Sequence, residues 1–256
     1  VDSDGDKDVF IGGARDRQSA LFIQNEKGQF GRVACPALKV DQIYEDVDAL
    51  WFDSDNDGDQ DLYVVSGGAS QRPGHEHYQD RLYINDGSGQ LSRASEDILP
   101  DLRFSGSRVA AHDFDYDGDL DLFVGSRFVP GNYPTGPESV LLINEQGKFS
   151  KAECSASSSG MVTDVKWSDI DGDKRADLVL ATEWGPVRVY QNKEDGFHEI
   201  TESLGLDDFT GWWNCIVSGD VDQDGDNDII AGNFGTNTKY GASEEKPATI
   251  FAADFG

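Results

Sequence analysis

The chain has 256 residues, 37% of them hydrophobic and 27% charged, which is enough apolar material for one sizeable core or two smaller ones. Its formal net charge is −28, and a surface of that sign repels phosphate backbones, which argues against nucleic acid as a partner. No run is long and apolar enough to span a membrane and none has the form of a signal peptide. The chain opens inside an acidic loop and stops shortly after a strand, so it is expected to be a segment of a longer protein with any targeting signal upstream of Val1.

In chain order, the first feature is Asp2, Asp4-Gly5, Asp6 and Asp8, followed at once by the apolar run Val9-Phe10-Ile11. The pattern returns in full at Asp53-Ser54-Asp55-Asn56-Asp57-Gly58-Asp59-Gln60-Asp61, with acids at positions 1, 3, 5, 7 and 9 and glycine at position 6. Asp113, Asp115, Asp117, Asp119 and Asp121 repeat it, as do Asp220, Asp222, Asp224, Asp226 and Asp228. A further copy, Asp169, Asp171, Asp173, Arg175 and Asp177, has Lys174 where the others have glycine. Alternate acids around a tight turn converge their oxygens on one hard cation, and Ca²⁺ is the expected ion. Five copies, each preceding a strand-like run, weigh against a merely solvated acidic tract. Five Ca²⁺ ions would still leave the chain acidic.

The full loops start at 53, 113, 169 and 220, a period of 60, 56 and 51 residues that marks a repeat architecture. Each period carries the same strand signals. A short apolar run precedes the loop (Ala49 to Phe52, Val109 to Ala111, Val165 to Trp167, Ile216-Val217), and a second follows it directly (Leu62 to Val65, Leu120 to Val124, Leu178 to Leu180, Ile229 to Ala231). The third run is Leu21 to Ile23, Leu82 to Ile84, Val140 to Ile143, Val187 to Tyr190, and Thr249-Ile250-Phe251. It leads into turns containing Asn25, Asn85, Asn144 or Asn192 with nearby glycines, where asparagine and glycine are expected to supply positive φ before a weaker fourth strand. No apolar period of 3.6 residues is sustained, so almost no helix is expected.

Four short strands per unit, stacked radially, make an all-β, β-propeller blade. A solenoid would need shorter repeats, and a plain sandwich would not explain a fixed loop at one corner of every unit. The spacing predicts a single propeller segment over 1–256, with approximate blades at 1–40 (partial), 41–100, 101–156, 157–205 and 206–256 (partial).

These residues resemble the FG-GAP/VCBS repeats of the integrin α-subunit β-propeller and of many bacterial secreted proteins. The resemblance rests on the acidic loop followed by an apolar strand and glycine, as in Asp61-Leu62-Tyr63-Val64-Val65-Ser66-Gly67-Gly68 and Asp228-Ile229-Ile230-Ala231-Gly232. It implies that the loop joins the first and second strands of a blade, and that the ring, commonly seven-bladed, is completed elsewhere. It also implies calcium ligation by the carboxylates at positions 1, 3, 5 and 9 and the backbone carbonyl at position 7, which is why Arg175 is tolerated there. About five structural ions, one per blade, are expected. Lys174 would sit at a left-handed position, at roughly 1 kcal/mol. All-Asp loops of this kind fill where calcium is near millimolar, so the expected location is extracellular or at the cell surface.

With calcium loops on one face, chain alternation puts the variable connections between second and third strands on the other. The candidate ligand face there comprises Tyr78, Arg127, Phe128, Tyr133, Trp184, Trp212, Phe234, Asn237 and Tyr240. Exposed aromatics on a rigid scaffold suit a glycan or a protein partner. Trp51, Trp167 and Trp213 are expected to pack between blades. His75-Glu76-His77 reads as a solvated loop rather than a metal site. Asp48, Arg108 and Asp164, each five residues before its loop, are expected to line a central channel. Cys35, Cys154 and Cys215 leave open one disulfide with a free thiol, or three thiols. The expected function is a calcium-stabilised interaction module, such as an accessory subunit of a surface assembly. The alternative is a propeller-fold polysaccharide lyase or hydrolase, although no nucleophile elbow, HExxH or phosphate loop is present.

Overall fold

The apolar run that follows each acidic loop does not alternate with polar residues, and the fold explains why. In the computed structural model, which describes residues 1–235, 238–243 and 245–253, and outside the partly exposed runs Val9–Ile11 and Asp228–Asn233, the second strand of each repeat is buried on both faces. Its alternate side chains enter two different cores.

The first sheet has three antiparallel strands, β1 (Val9–Ile11), β2 (Ala20–Gln24) and β3 (Phe30–Val33). A short helix, α1 (Pro36–Val40), leads to a four-stranded sheet of β4 (Asp46–Phe52), β5 (Asp61–Ser66), β6 (Arg81–Asn85) and β7 (Leu91–Arg93). The next sheet comprises β8 (Gly106–His112), β9 (Asp121–Ser126), β10 (Val140–Glu145) and β11 (Lys148–Ala152). A fourth set follows as β12 (Met161–Ser168), β13 (Asp177–Gly185), β14 (Arg188–Lys193) and β15 (Gly196–Glu199). β16 (Gly211–Gly219) and β17 (Asp228–Asn233) form the last pair, joined to β13 by the short pairing of Glu183 with Trp212 and Gly185 with Gly211.

Cores lie between consecutive sheets. Leu62 and Val64 of β5 pack towards the first sheet with Leu21 and Leu38, whereas Tyr63 and Val65 pack towards the third with Leu122 and Val124. β9 and β13 divide their residues likewise: Phe123 joins Leu178 and Leu180, while Val179 and Ala181 meet Ile216. Each fully buried Leu, Val or Tyr side chain contributes about 1.5–3 kcal/mol by leaving water. Trp51, Trp167 and Trp213 sit at the edges of three of these cores. The fold is therefore an all-β arc of β-propeller blades. Close approach is set in part by glycine: a Cβ on Gly106 would lie 2.4 Å from the Val65 side chain.

The inner strands β4, β8, β12 and β16 each carry one bulge, at Asp46/Asp48, Gly106/Arg108, Val162/Asp164 and Trp213/Cys215. The bulge re-aims the residue five before each loop.

The structure departs from expectation in three places. Thr249-Ile250-Phe251 forms no strand, because nothing among the described residues pairs with it. The turn asparagines do not adopt positive φ; Gly28, Gly87, Gly89, Gln146, Gly147 and Gly196 do so instead. Tyr78, expected on an exposed face, is 1% exposed, because its hydroxyl is tied back to Gln71 by bonds to the backbone N–H (3.2 Å) and oxygen (2.9 Å). All three cysteines are free thiols.

Candidate functional site

Each acidic loop is wound by its own carboxylates. In the loop 53–61, Asp53 Oδ2 accepts from the Gly58 N–H at 3.0 Å and Asp57 Oδ1 from the Asp59 N–H at 2.9 Å. The same pair of bonds recurs at Asp113 and Asp117, at Asp169 and Asp173, and at Asp220 and Asp224. Asp and Asn favour such local turns because the side-chain oxygen reaches the backbone two residues on. At Asp53 and Asp113 one oxygen is thereby used for winding and the other is left over, whereas Asp169 and Asp220 use both, the second accepting from the N–H of Gly172 (2.8 Å) and Gln223 (2.6 Å).

Winding requires left-handed backbone at positions 4 and 6, as at Asn56 (φ 62°) and Gly58 (φ 94°), or Tyr116 (φ 65°) and Gly118 (φ 100°). The loop 169–177 reverses the residue types: Gly172 (φ 77°) takes position 4 and Lys174 (φ 71°) takes position 6. The strain at Lys174 is real, and Gly172 relieves its counterpart.

Position 9 closes the loop from within. Asp61, Asp121 and Asp177 are buried, and their Oδ2 atoms accept from the N–H of Ser54 (3.1 Å), Phe114 (2.8 Å) and Ile170 (3.0 Å). Their Oδ1 atoms accept from the N–H of Asn85 (2.8 Å), Asn144 (2.8 Å) and Asn192 (2.9 Å). Burial pushes the Asp121 carboxyl up to about 6 and Asp177 in the same direction. Repulsion from Asp224, then desolvation, raises Asp226.

Four carboxylate triplets converge, each with one oxygen per residue and all three within 4.8 Å: Asp53, Asp55 and Asp57; Asp113, Asp115 and Asp121; Asp169, Asp171 and Asp177; Asp220, Asp222 and Asp228. Asp53 Oδ1 and Asp113 Oδ1 are buried without a hydrogen-bond partner. A buried anionic oxygen lacking any donor is costly, and a cation satisfies it. The all-oxygen donor set fits a hard divalent ion. The first loop differs. Asp8 accepts from the Gln24 N–H at 2.9 Å and Asp2 Oδ1 is likewise buried without a partner, but Asp2, Asp4, Asp6 and Asp8 bring no three carboxylates together as the other loops do.

The inner strands line an open groove of about 410 Å3 bordered by Asp48, Arg108, Asp164, Lys166 and Trp167 among others. Arg108 Nη1 lies 3.4 Å from Asp48 Oδ1, and its Nε lies 3.7 Å from Asp164 Oδ1 while donating to the Thr163 oxygen at 3.1 Å. The free oxygens of the two acids accept from the next blade: Asp48 from the Val109 N–H (2.9 Å) and Asp164 from the Ile216 N–H (2.7 Å). Burial pushes the Asp48 carboxyl up against these bonds.

The opposite ends of the strands gather aromatics. Trp184 ends β13, Trp212 begins β16 and Phe234 follows β17; Trp184 and Trp212 stack at 5.3 Å and Trp212 meets Phe234 at 5.0 Å. Arg127, Phe128 and Tyr133, from the connection between β9 and β10, adjoin them, with Phe128 and Tyr133 at 6.4 Å and the Trp184 Nε1–H donating to the Tyr133 hydroxyl at 2.5 Å. Tyr240 is exposed beside Lys239, and Asn237 lies outside the described residues. His75 and His77 are taken up locally, His75 Nδ1 accepting from the His77 N–H at 3.1 Å.

The FG-GAP-like repeat profile matches residues 1–64, 53–124 and 169–231. The chain belongs to the FG-GAP-like repeat family. Among relatives, cartilage acidic protein 1 of Xenopus tropicalis is 26% identical over 261 residues, covering 91% of this chain and 39% of that protein. Human (Homo sapiens) phosphatidylinositol-glycan-specific phospholipase D is 31% identical over 153 residues, covering 52% of this chain and 18% of that protein. The chain thus spans less than half the length of either relative. A solved structure of an Agrocybe aegerita lectin, which specifically recognises non-reducing terminal N-acetylglucosamine, superposes with a TM-score of 0.53 at 13% identity, over 89% of this chain and 61% of the lectin chain. At that identity the likeness is one of fold.

Sequence reasoning missed the asparagines of this FG-GAP-like array as fasteners. Asn85, Asn144 and Asn192 lie 24, 23 and 15 residues after the aspartates that hold them, and this uneven spacing hides the relation. The available signal was one asparagine ending the third strand of each repeat.

Proposed function

We propose that this chain is a calcium-stabilised β-propeller binding module of an exported protein, presenting a glycan- or protein-binding surface on the face away from its acidic loops. The observation that carries the reading is the division of labour between strand ends. Convergent carboxylates with orphaned oxygens occupy one end, and the aromatic cluster occupies the other. Asp53, Asp55, Asp57 and Asp61, with the carbonyl of Asp59, would hold one ion, and the equivalent residues of the other loops the rest. The bound ion supplies positive charge that relieves carboxylate repulsion and pins a blade corner. All-Asp loops suit near-millimolar calcium, which supports an extracellular or cell-surface setting and a place in a surface assembly.

The enzymatic alternative has less support. A lyase or hydrolase in the channel needs a carboxylate free to move a proton, and both Asp48 and Asp164 are engaged by Arg108 and by neighbouring backbone N–H groups. The test is calcium titration by calorimetry alongside thermal melts in calcium and in EDTA. Binding of several ions with a strongly lowered melt in EDTA is expected; an unchanged melt overturns the structural-calcium reading.

A further inference from the structure

Within a chain of net charge −28, the aromatic cluster is a sector where planar rings rather than carboxylates are gathered. Trp184 and Trp212, both half-buried, stack on each other with planes 30° from parallel, and Phe234, 50% exposed and tilted 46° to Trp212, completes an aromatic strip across two blades. We infer that this strip is a subsite for an uncharged pyranose ring; the inference rests on the reading above that this face carries the ligand.

A pyranose has an apolar C–H face and a rim of hydroxyls. Flat aromatic rings cover the former, and fixed donors and acceptors must meet the latter. Both are present. Glu183 is buried (4% exposed) and accepts from Arg127 Nε at 3.1 Å and Nη2 at 2.7 Å, and also from the Tyr133 hydroxyl. Among the described residues Arg127 Nη1 has no partner, and the guanidinium is partly exposed, so a donor stands at the edge of the strip.

Charge selects the ligand class. Glu183 neutralises Arg127 in place, leaving no uncompensated cation in that pair, and the surrounding negative field opposes uronates, sulfated glycans and acidic peptides. Trp184 supplies an independent observation. Its φ of 66° is a left-handed conformation that bulky residues rarely adopt, held here by the bond to Tyr133 and the stack on Trp212. Rings fixed before the ligand arrives lose little freedom on binding, which lowers the cost of holding a ligand through few contacts.

The experiment uses the calcium-loaded chain with neutral cello-, chito-, xylo- and manno-oligosaccharides, set against oligogalacturonate, sulfated heparin fragments and a proline-rich peptide. Tryptophan fluorescence and calorimetry read binding. At least one neutral series should bind, with affinity changing less than about twofold between roughly 50 and 500 mM salt. Trp212→Ala and, as a milder change at an exposed position, Phe234→Ala should each weaken it about tenfold or more, with the calcium-dependent melt retained. Binding confined to anionic glycans or to the peptide, no binding by any neutral series, or binding that survives both substitutions overturns the inference. Each of these can occur with calcium-dependent stability intact, so the sugar subsite and the calcium reading fail separately.

Discussion

Asn144 donates from Nδ2 to the Ser54 carbonyl oxygen at 2.9 Å, across 90 residues of chain, while its own N–H is held by Asp121. Each repeat does the same to the one before it: Asn85 reaches the Val1 oxygen at 2.8 Å and Asn192 the Phe114 oxygen at 3.2 Å. In every case the acceptor is the carbonyl at position 2 of the preceding acidic loop. Further contacts join neighbouring loops, with Asn56 Nδ2 donating to Asp119 Oδ1 at 2.5 Å and the Arg175 guanidinium 4.4 Å from the Tyr116 ring centroid. The acidic loops form a connected chain, so winding one is felt by the next.

Asn144→Ala should therefore act on two loops. It strands the Ser54 and Leu120 carbonyls, both of which accept from Asn144, and removes a buried side chain, at about 1–3 kcal/mol. The expected result is a lowered melt together with weaker calcium binding at the loops containing both Asp53 and Asp113. Calorimetry that finds the second effect at one loop alone would contradict the coupling.

Individual ions can be removed in turn. Asp57→Ala should abolish one calcium equivalent and lower stability by about 2.7 kcal/mol, the linkage expected for a site held about a hundredfold above its Kd. Ligand binding on the opposite face should persist. Loss of that binding at unchanged stability would mean that the ion serves the ligand.

Lys174→Gly tests strain in the loop 169–177. Lys174 holds φ 71° with its N–H bonded to Asp169 Oδ2 at 2.9 Å, a geometry glycine adopts freely. Removing the side chain should raise stability by up to about 1 kcal/mol and tighten that loop's ion. A destabilised variant would show that the Lys174 side chain itself contributes.

Asp80 gives a pH dependence away from the acidic loops. It is buried where its carboxylate accepts from the Ser66 N–H and the Tyr63 hydroxyl, both at 2.8 Å, and burial pushes its carboxyl up to about 7. The folded state keeps this proton where the unfolded chain, near 3.8, has lost it. Asp80 therefore favours folding less and less as pH rises from about 4 to 7, and its effect is constant above that. In saturating calcium, Asp80→Asn should flatten the fall in melting temperature between about pH 4 and 7. An unchanged slope would place the titration elsewhere.

Much of this was legible because the repeating element is local. The acids at positions 1, 3, 5 and 9 wind their own turns, so spacing alone reveals the loop. The unbroken apolar runs at Leu62–Val65 and Leu178–Leu180 likewise reveal strands buried on both faces. What stayed hidden was non-local. Asn85, Asn144 and Asn192 look like turn formers because their partners sit on another blade. Tyr78 is the local exception: its hydroxyl folds back onto the Gln71 backbone only seven residues away, a side-chain-to-backbone bond that leaves no mark in the residue spacing. The aromatic face was half legible: the residue types stood out, but the Arg127–Glu183 pair that orders them spans 56 residues, and Glu183 gave no signal of its own.

The channel supplies the last prediction. Arg108 lies between Asp48 and Asp164, side chains that are 20% and 18% exposed, and it is the centre of a three-blade clasp. Removing it in Arg108→Leu leaves two acids facing a confined space. Breaking a fully buried pair costs about 3–5 kcal/mol, but Arg108 is 41% exposed, so solvent screening should bring the loss to about 1–2 kcal/mol. Replacing the acids as well, in Asp48→Asn/Asp164→Asn/Arg108→Leu, should recover much of it, because Asn can still accept from the Val109 and Ile216 N–H groups. Thermal melts of the single and triple variants decide the matter. If the triple variant is the less stable of the two, the acids hold the inner strands together through charge rather than through these backbone bonds.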